Sequence, residues 1–139
     1  MANGKRLLIV DDDKIHRIIY STIAQKMDYA VDLAGSVSEA RSALQSHVYD
    51  CIVLDLILGD EWGRDVIDLL ADVEKKPSVM LVSGAHEQLL AETLRHGRDL
   101  GVHMFEPVRK PVNMALIRGL LHSIDARGVG QDITRTAQI

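Results

Sequence analysis

The chain has 139 residues, 47% of them apolar, and a formal net charge of −4. That length suits one domain with its own core, and the mild negative charge gives no electrostatic case for direct binding to nucleic acid or an anionic membrane. One cysteine excludes an internal disulfide, and neither a signal-peptide pattern nor a membrane-length apolar run is present, so a cytoplasmic protein is expected.

In chain order, Leu7-Leu8-Ile9-Val10 reads as a strand and ends in Asp11-Asp12-Asp13. Asp13 is the expected cap of a first helix, whose apolar face is read as Ile15, Ile19 and Ile23, joined by Ile18. Val31 and Leu33 alternate with polar neighbours, as in a half-buried strand. Ser36 and Glu39 have capping-box spacing, opening a helix with Ala40, Ala43 and Leu44 inward. Cys51-Ile52-Val53-Leu54 is the third strand and ends in Asp55; Val66, Leu69, Leu70 and Val73 form the next helical stripe. Pro77 breaks the chain before a fourth strand, Val79-Met80-Leu81-Val82, which ends in Ser83-Gly84. Leu90 and Leu94 mark a fourth helix, and Val102 and Met104 a short fifth strand. Pro111 suits the first position of a last helix carrying Met114, Ile117, Leu121 and Ile124. Residues 5–125 are assigned to this domain, and the polar, glycine-containing residues 126–139 to a tail or the start of a linker.

Strands alternating with helices predict an α/β fold: a parallel five-stranded sheet with helices on both faces. The first, third and fourth strands are continuous apolar runs, as expected for strands covered on both sides. The second and fifth suit edges. A flavodoxin-like, doubly wound (βα)5 order of 2-1-3-4-5 satisfies both conditions, and ligands bind such sheets at the carboxyl ends of the strands near the switch point. That edge would gather Asp11, Asp12, Asp55, Ser83 and Lys110. Clustered carboxylates call for a cation, and oxygen ligands suit Mg²⁺. A carboxylate beside such a cation can take a phosphoryl group as an aspartyl phosphate. Lys110 and the Ser83 hydroxyl can each bind a phosphoryl oxygen, and Gly84 leaves room for the group.

Taken together, Val10-Asp11-Asp12-Asp13, Leu54-Asp55-Leu56, Gly63, Ser83-Gly84 and Lys110-Pro111 resemble the receiver domains of two-component response regulators. The resemblance implies that Asp55 is the phosphoacceptor. It implies that Asp12, Asp55 and the backbone carbonyl of Ile57 hold Mg²⁺, and that Asp11 helps through water. Ser83, Gly84 and Lys110 would receive the phosphoryl group, and the Lys110-Pro111 bond would be cis. The implied donor is a sensor histidine kinase or a histidine phosphotransfer protein. The implied readout is a downstream protein or a missing output domain, with homodimerisation through the fourth helix, fifth strand and fifth helix as a candidate. Such a protein is a signalling switch whose only catalysis is its own phosphoryl transfer and dephosphorylation.

The sequence departs from the family in three places. Gly59 stands where proline is usual, which is expected to loosen that loop. Ile57 and Ala85 are apolar where acid or amide side chains can place a hydrolytic water, so slow self-dephosphorylation is expected. Pro107 occupies the place of the usual switch aromatic, three before Lys110, in a stretch two residues longer than common spacing. A receiver-fold interaction module acting without phosphorylation is therefore the alternative. A hydrolase of the haloacid-dehalogenase type is disfavoured, since it wants a second aspartate where Ile57 stands. The six histidines show no metal-binding spacing and are read as mostly surface residues, Asp60 and Glu61 as solvated charges, and Cys51 as a core residue.

Overall fold

A computed structural model describes residues 4–84, 86–112 and 114–127. Five parallel strands form one sheet: β1 (Arg6–Val10), β2 (Ala30–Ala34), β3 (Cys51–Asp55), β6 (Ser78–Ser83) and β7 (Val108–Arg109). A two-stranded hairpin, β4 (Ile57–Leu58) with β5 (Glu61–Trp62), stands apart from it. The helices are α1 (Lys14–Lys26), α2 (Val37–Ser46), α3 (Gly63–Leu69), α4 (Glu87–Asp99) and α5 (Met114–Arg127), with a 3-10 turn over Leu70–Asp72. The sheet order is β2-β1-β3-β6-β7, which is 2-1-3-4-5 when only its own strands are counted. The flavodoxin-like order expected from strand chemistry is the observed one.

Period-2 alternation sends each strand's side chains to two separate cores. Leu8, Val10, Ile52, Leu54, Val79 and Leu81 pack with α2, α3 and α4 residues such as Ala40, Ile67 and Leu90. Leu7, Ile9, Cys51, Val53, Met80 and Val82 pack with Tyr20, Ile23, Ile117 and Leu121 of α1 and α5. Every residue of β3 is buried, as a central strand requires, whereas β2 leaves Leu33 about half exposed at the edge. Both expected caps form. Asp13 accepts from the Ile15 and His16 amides, and Ser36 from the Glu39 amide. Glu39 reaches back to the Gly35 amide, closing the box one residue early.

Three expectations need correction. The buried face of α1 is Tyr20, Ile23 and Ala24, with Ile19 partly covered; Ile15 and Ile18 are 66% and 51% exposed. At 3.6 residues per turn, Ile15 and Ile18 fall on the side of the helix away from Tyr20, Ile23 and Ala24, which pack into the core. The fifth strand is Val108–Arg109, and Met104 contributes only an isolated bridge to Val79. Between Val79↔Met104 and Val82↔Val108, three steps along β6 match four along the partner, so one extra residue bulges out. Pro107 lies in that bulge, where its missing N–H breaks no ladder bond. Finally, α5 begins at Met114, so Pro111 is not its first residue; the Lys110-Pro111 bond is cis, as the resemblance implied. The expected tail over 126–139 lies outside the described residues beyond Arg127, and so does Ala85.

Candidate functional site

The carboxyl ends of β1, β3 and β6 meet at an open cleft of about 370 Å³. Asp55 ends β3 and is 5% exposed. Its Oδ2 accepts from Lys110 Nζ at 2.9 Å, and its Oδ1 from the Ile57 amide at 3.2 Å. Lys110 is brought there by its own backbone, whose N–H donates to the Ser83 carbonyl at 2.7 Å. The ladder thus continues one residue past β7, and the lysine stem leans from the edge strand across β6 toward β3.

Asp11 follows β1 directly and is 1% exposed. Its Oδ1 accepts from the Asp13 amide at 2.8 Å, while its Oδ2 is buried without a hydrogen-bond partner among the described residues. Arg17 donates to the Asp11 backbone carbonyl at 2.7 Å, pinning the turn from strand to helix. Burial pushes the Asp11 carboxyl above its ordinary range, and the nearby Asp55 charge adds to this against the opposing Asp13 hydrogen bond. Ser83 is also buried, at 1% exposure, and its hydroxyl has no hydrogen-bond partner among the described residues. A buried polar atom without a hydrogen bond is costly; Ser83 lines the cleft, and Asp11 Oδ2 lies 3.3 Å from His16, which lines it too.

Asp12, Ile57, Gly59, Gly84 and His86 complete much of the lining. Asp12 is exposed at the rim, and Gly84 has open space where a side chain would stand. Leu58-Gly59-Asp60-Glu61 forms the tight turn of the β4–β5 hairpin, with Gly59 at φ +63°, a conformation glycine adopts without strain. Gly63 explains itself by contact: a Cβ there would lie 2.5 Å from the Asp55 carbonyl oxygen. Glu61 is not merely solvated, since its carboxylate accepts from the Val37 amide at the start of α2.

The residues fit a divalent cation. One ligand atom each from Asp11, Asp55 and His16 lie within 4.8 Å of one another, with Asp12 lining the same cleft. His16 was not legible as part of the site. It is five residues from Asp11 in sequence, and only the return of α1 over the end of β1 brings its Nδ1 to 3.3 Å from Asp11 Oδ2. Spacing within the chain carries no such signal.

The family described as the response regulator receiver domain matches residues 7–122. The chain belongs to that family. This receiver is 28% identical over 111 residues to the chemotaxis protein CheY of Thermotoga maritima, covering 76% of this chain and 91% of the relative. It is 27% identical over 127 residues to the transcriptional regulatory protein QseB of Escherichia coli O157:H7, covering 91% of this chain but 55% of QseB. A response regulator from Colwellia psychrerythraea has the same fold, with a TM-score of 0.75 and 27% identity over 89% of this chain and 98% of that one. Receivers are signalling switches of two-component systems, work with histidine kinases and output domains, and typically bind Mg²⁺ at an acidic site. Among the described residues, no helix is long and apolar enough to cross a membrane.

Proposed function

We propose that Asp55 accepts a phosphoryl group from a phosphohistidine on a sensor kinase or phosphotransfer protein, and that this switches partner binding. The observation that carries the reading is the unpartnered, buried Ser83 hydroxyl in the cleft that holds the Asp55–Lys110 pair. In the resting chain Lys110 neutralises Asp55. During transfer an Asp55 oxygen forms the new bond to phosphorus as the donor imidazole leaves. Lys110 and Ser83 then each hold a phosphoryl oxygen, and the open space beside Gly84 admits the group. Asp11, Asp12, Asp55 and the Ile57 carbonyl would hold Mg²⁺, with Asp11 acting through water. Bound there, the cation offsets the carboxylate charges and those of the incoming group. The same reading sets the chain in the cytoplasm, in keeping with its buried free thiol, Cys51.

The readout is a downstream protein or an output domain, and α4, β7 and α5 form the candidate face, also for a homodimer. Leu116 is exposed there, while Leu89 and Leu120 pack partly against the cores. The competing reading, an interaction module that is never phosphorylated, draws on β7: Pro107 replaces the switch aromatic, and Phe105 is buried in the α1–α5 core. Intact mass after incubation with acetyl phosphate, with and without Mg²⁺, separates the two. A Mg²⁺-dependent gain of one phosphoryl group that Asp55→Asn abolishes supports the switch. No gain from the folded chain, with acetyl phosphate or with phosphorylated histidine donors, leaves the interaction module.

A further inference from the structure

We infer that His16 is a nitrogen ligand of the cation site, which tunes that site toward divalent transition ions such as Mn²⁺ and Co²⁺ rather than Mg²⁺ alone. The inference rests on the cation site of the phosphoacceptor reading and adds a ligand to it. His16 lies in the first turn of α1, whose start is fixed by the Asp13 cap. Its Nδ1 is buried and makes no hydrogen bond among the described residues, although Asp11 Oδ2, itself without a hydrogen bond there, is only 3.3 Å away, a distance at which a protonated imidazole forms an ion pair. Two buried atoms at that distance, without a hydrogen bond to each other, suit a site in which the ring nitrogen meets the cation and the Asp11 oxygen a water bound to it. An Asp55 oxygen completes the group within 4.8 Å. The outer ring nitrogen faces Asp13 Oδ2 at 3.9 Å, and the ring lies tilted over Tyr20 with centroids 6.0 Å apart, so the imidazole is held from two further sides.

The ligand chemistry follows from these atoms. Mg²⁺ favours oxygen in octahedral array and keeps its waters. Imidazole suits transition ions, whose affinity for a mixed nitrogen–oxygen site rises from Mn²⁺ to Co²⁺ and beyond. A neutral imidazole also adds a ligand without adding charge to an acidic cleft. His86 lines the same cleft but is exposed and outside the tight group, so it serves as the internal control.

The test is electron spin-echo spectroscopy of the full chain saturated with Mn²⁺, with histidine at natural abundance or labelled with ¹⁵N. The expected result is a coupling that changes with the label, persists in His86→Gln and is lost in His16→Gln. In parallel titrations, the Co²⁺ to Mg²⁺ affinity ratio should fall at least about tenfold in His16→Gln. Bound Mn²⁺ with no histidine coupling in the wild-type chain overturns the inference, and that result depends on no variant's folding. A coupling that survives His16→Gln, or an unchanged ratio, also overturns it. Phosphoryl uptake with Mg²⁺ but no histidine coupling sinks this inference and leaves the proposed function standing. Coupling without uptake from any phosphoryl donor does the reverse.

Discussion

Asp32 shows how single residues outside the cleft set stability. Its carboxylate accepts from the Tyr49 hydroxyl at 2.7 Å and from Arg6 at 3.0 Å, joining β1, β2 and the segment two residues before β3. Burial alone would raise its pKa; the Tyr49 and Arg6 hydrogen bonds outweigh this and hold it below 3.8. A carboxyl lowered by folding stabilises the fold above its ordinary pKa, and that share is lost as pH falls through the lowered value. Tyr49→Phe removes one donor and should cost about 1 kcal/mol near neutral pH, discounted for partial exposure. The gap between variant and wild type should narrow well below pH 3.8. Urea unfolding at the two pH values checks both; a gap that widens in acid would assign the loss to packing.

At the scale of elements, the β4–β5 hairpin and the glycines beside it shape the cleft. A Cβ at Gly63 would meet backbone, the Asp55 carbonyl oxygen, which cannot move without β3. A Cβ at Gly97 would also come within 2.5 Å of an atom, but that atom is the Met104 sulfur on a flexible side chain. Gly63→Ala is therefore expected to destabilise by about 1–3 kcal/mol and Gly97→Ala by clearly less, as measured by urea midpoints. Equal costs would mean that Met104 is as fixed as the strand. Ile57, on β4 at the cleft, brings no polar group to place a water against a phosphorylated Asp55. Ile57→Asn should speed loss of the phosphoryl group, followed by intact mass over time; an unchanged half-life would remove the reason given for slow dephosphorylation.

For the whole molecule, the buried carboxylates at the sheet's carboxyl edge are a weak point, since Asp11 and Asp55 lie there together. Burial and the Asp55 charge raise the Asp11 pKa, so folding binds protons there, and that stability is lost as pH rises through the raised value. Asp11→Asn should thus raise the metal-free melting midpoint. In the wild type, Mg²⁺ at about a hundred times its Kd should add about 2.7 kcal/mol, and Asp11→Asn should lose most of that increment. Thermal melts with EDTA and with Mg²⁺ read both effects. A variant that melts lower without metal would show that the Asp11 charge is already compensated in the fold.

The sequence by itself determined the layer order and most of the cleft. Continuous apolar runs mark covered strands, and each run ends in its polar residue at the same sheet edge because parallel strands share direction. Local capping was equally legible in Asp13 and Ser36, since a cap needs only residues two or three apart. Tertiary structure alone decided what depends on crossing between elements. The seating of α1 on its Tyr20, Ile23 and Ala24 face exposed Ile15 and set His16 against Asp11. The bulge at Pro107 moved the last strand to Val108–Arg109. Glu61 met α2 only once the hairpin had folded back. These contacts join residues whose separation along the chain carries no period, so no pattern in one sequence announces them.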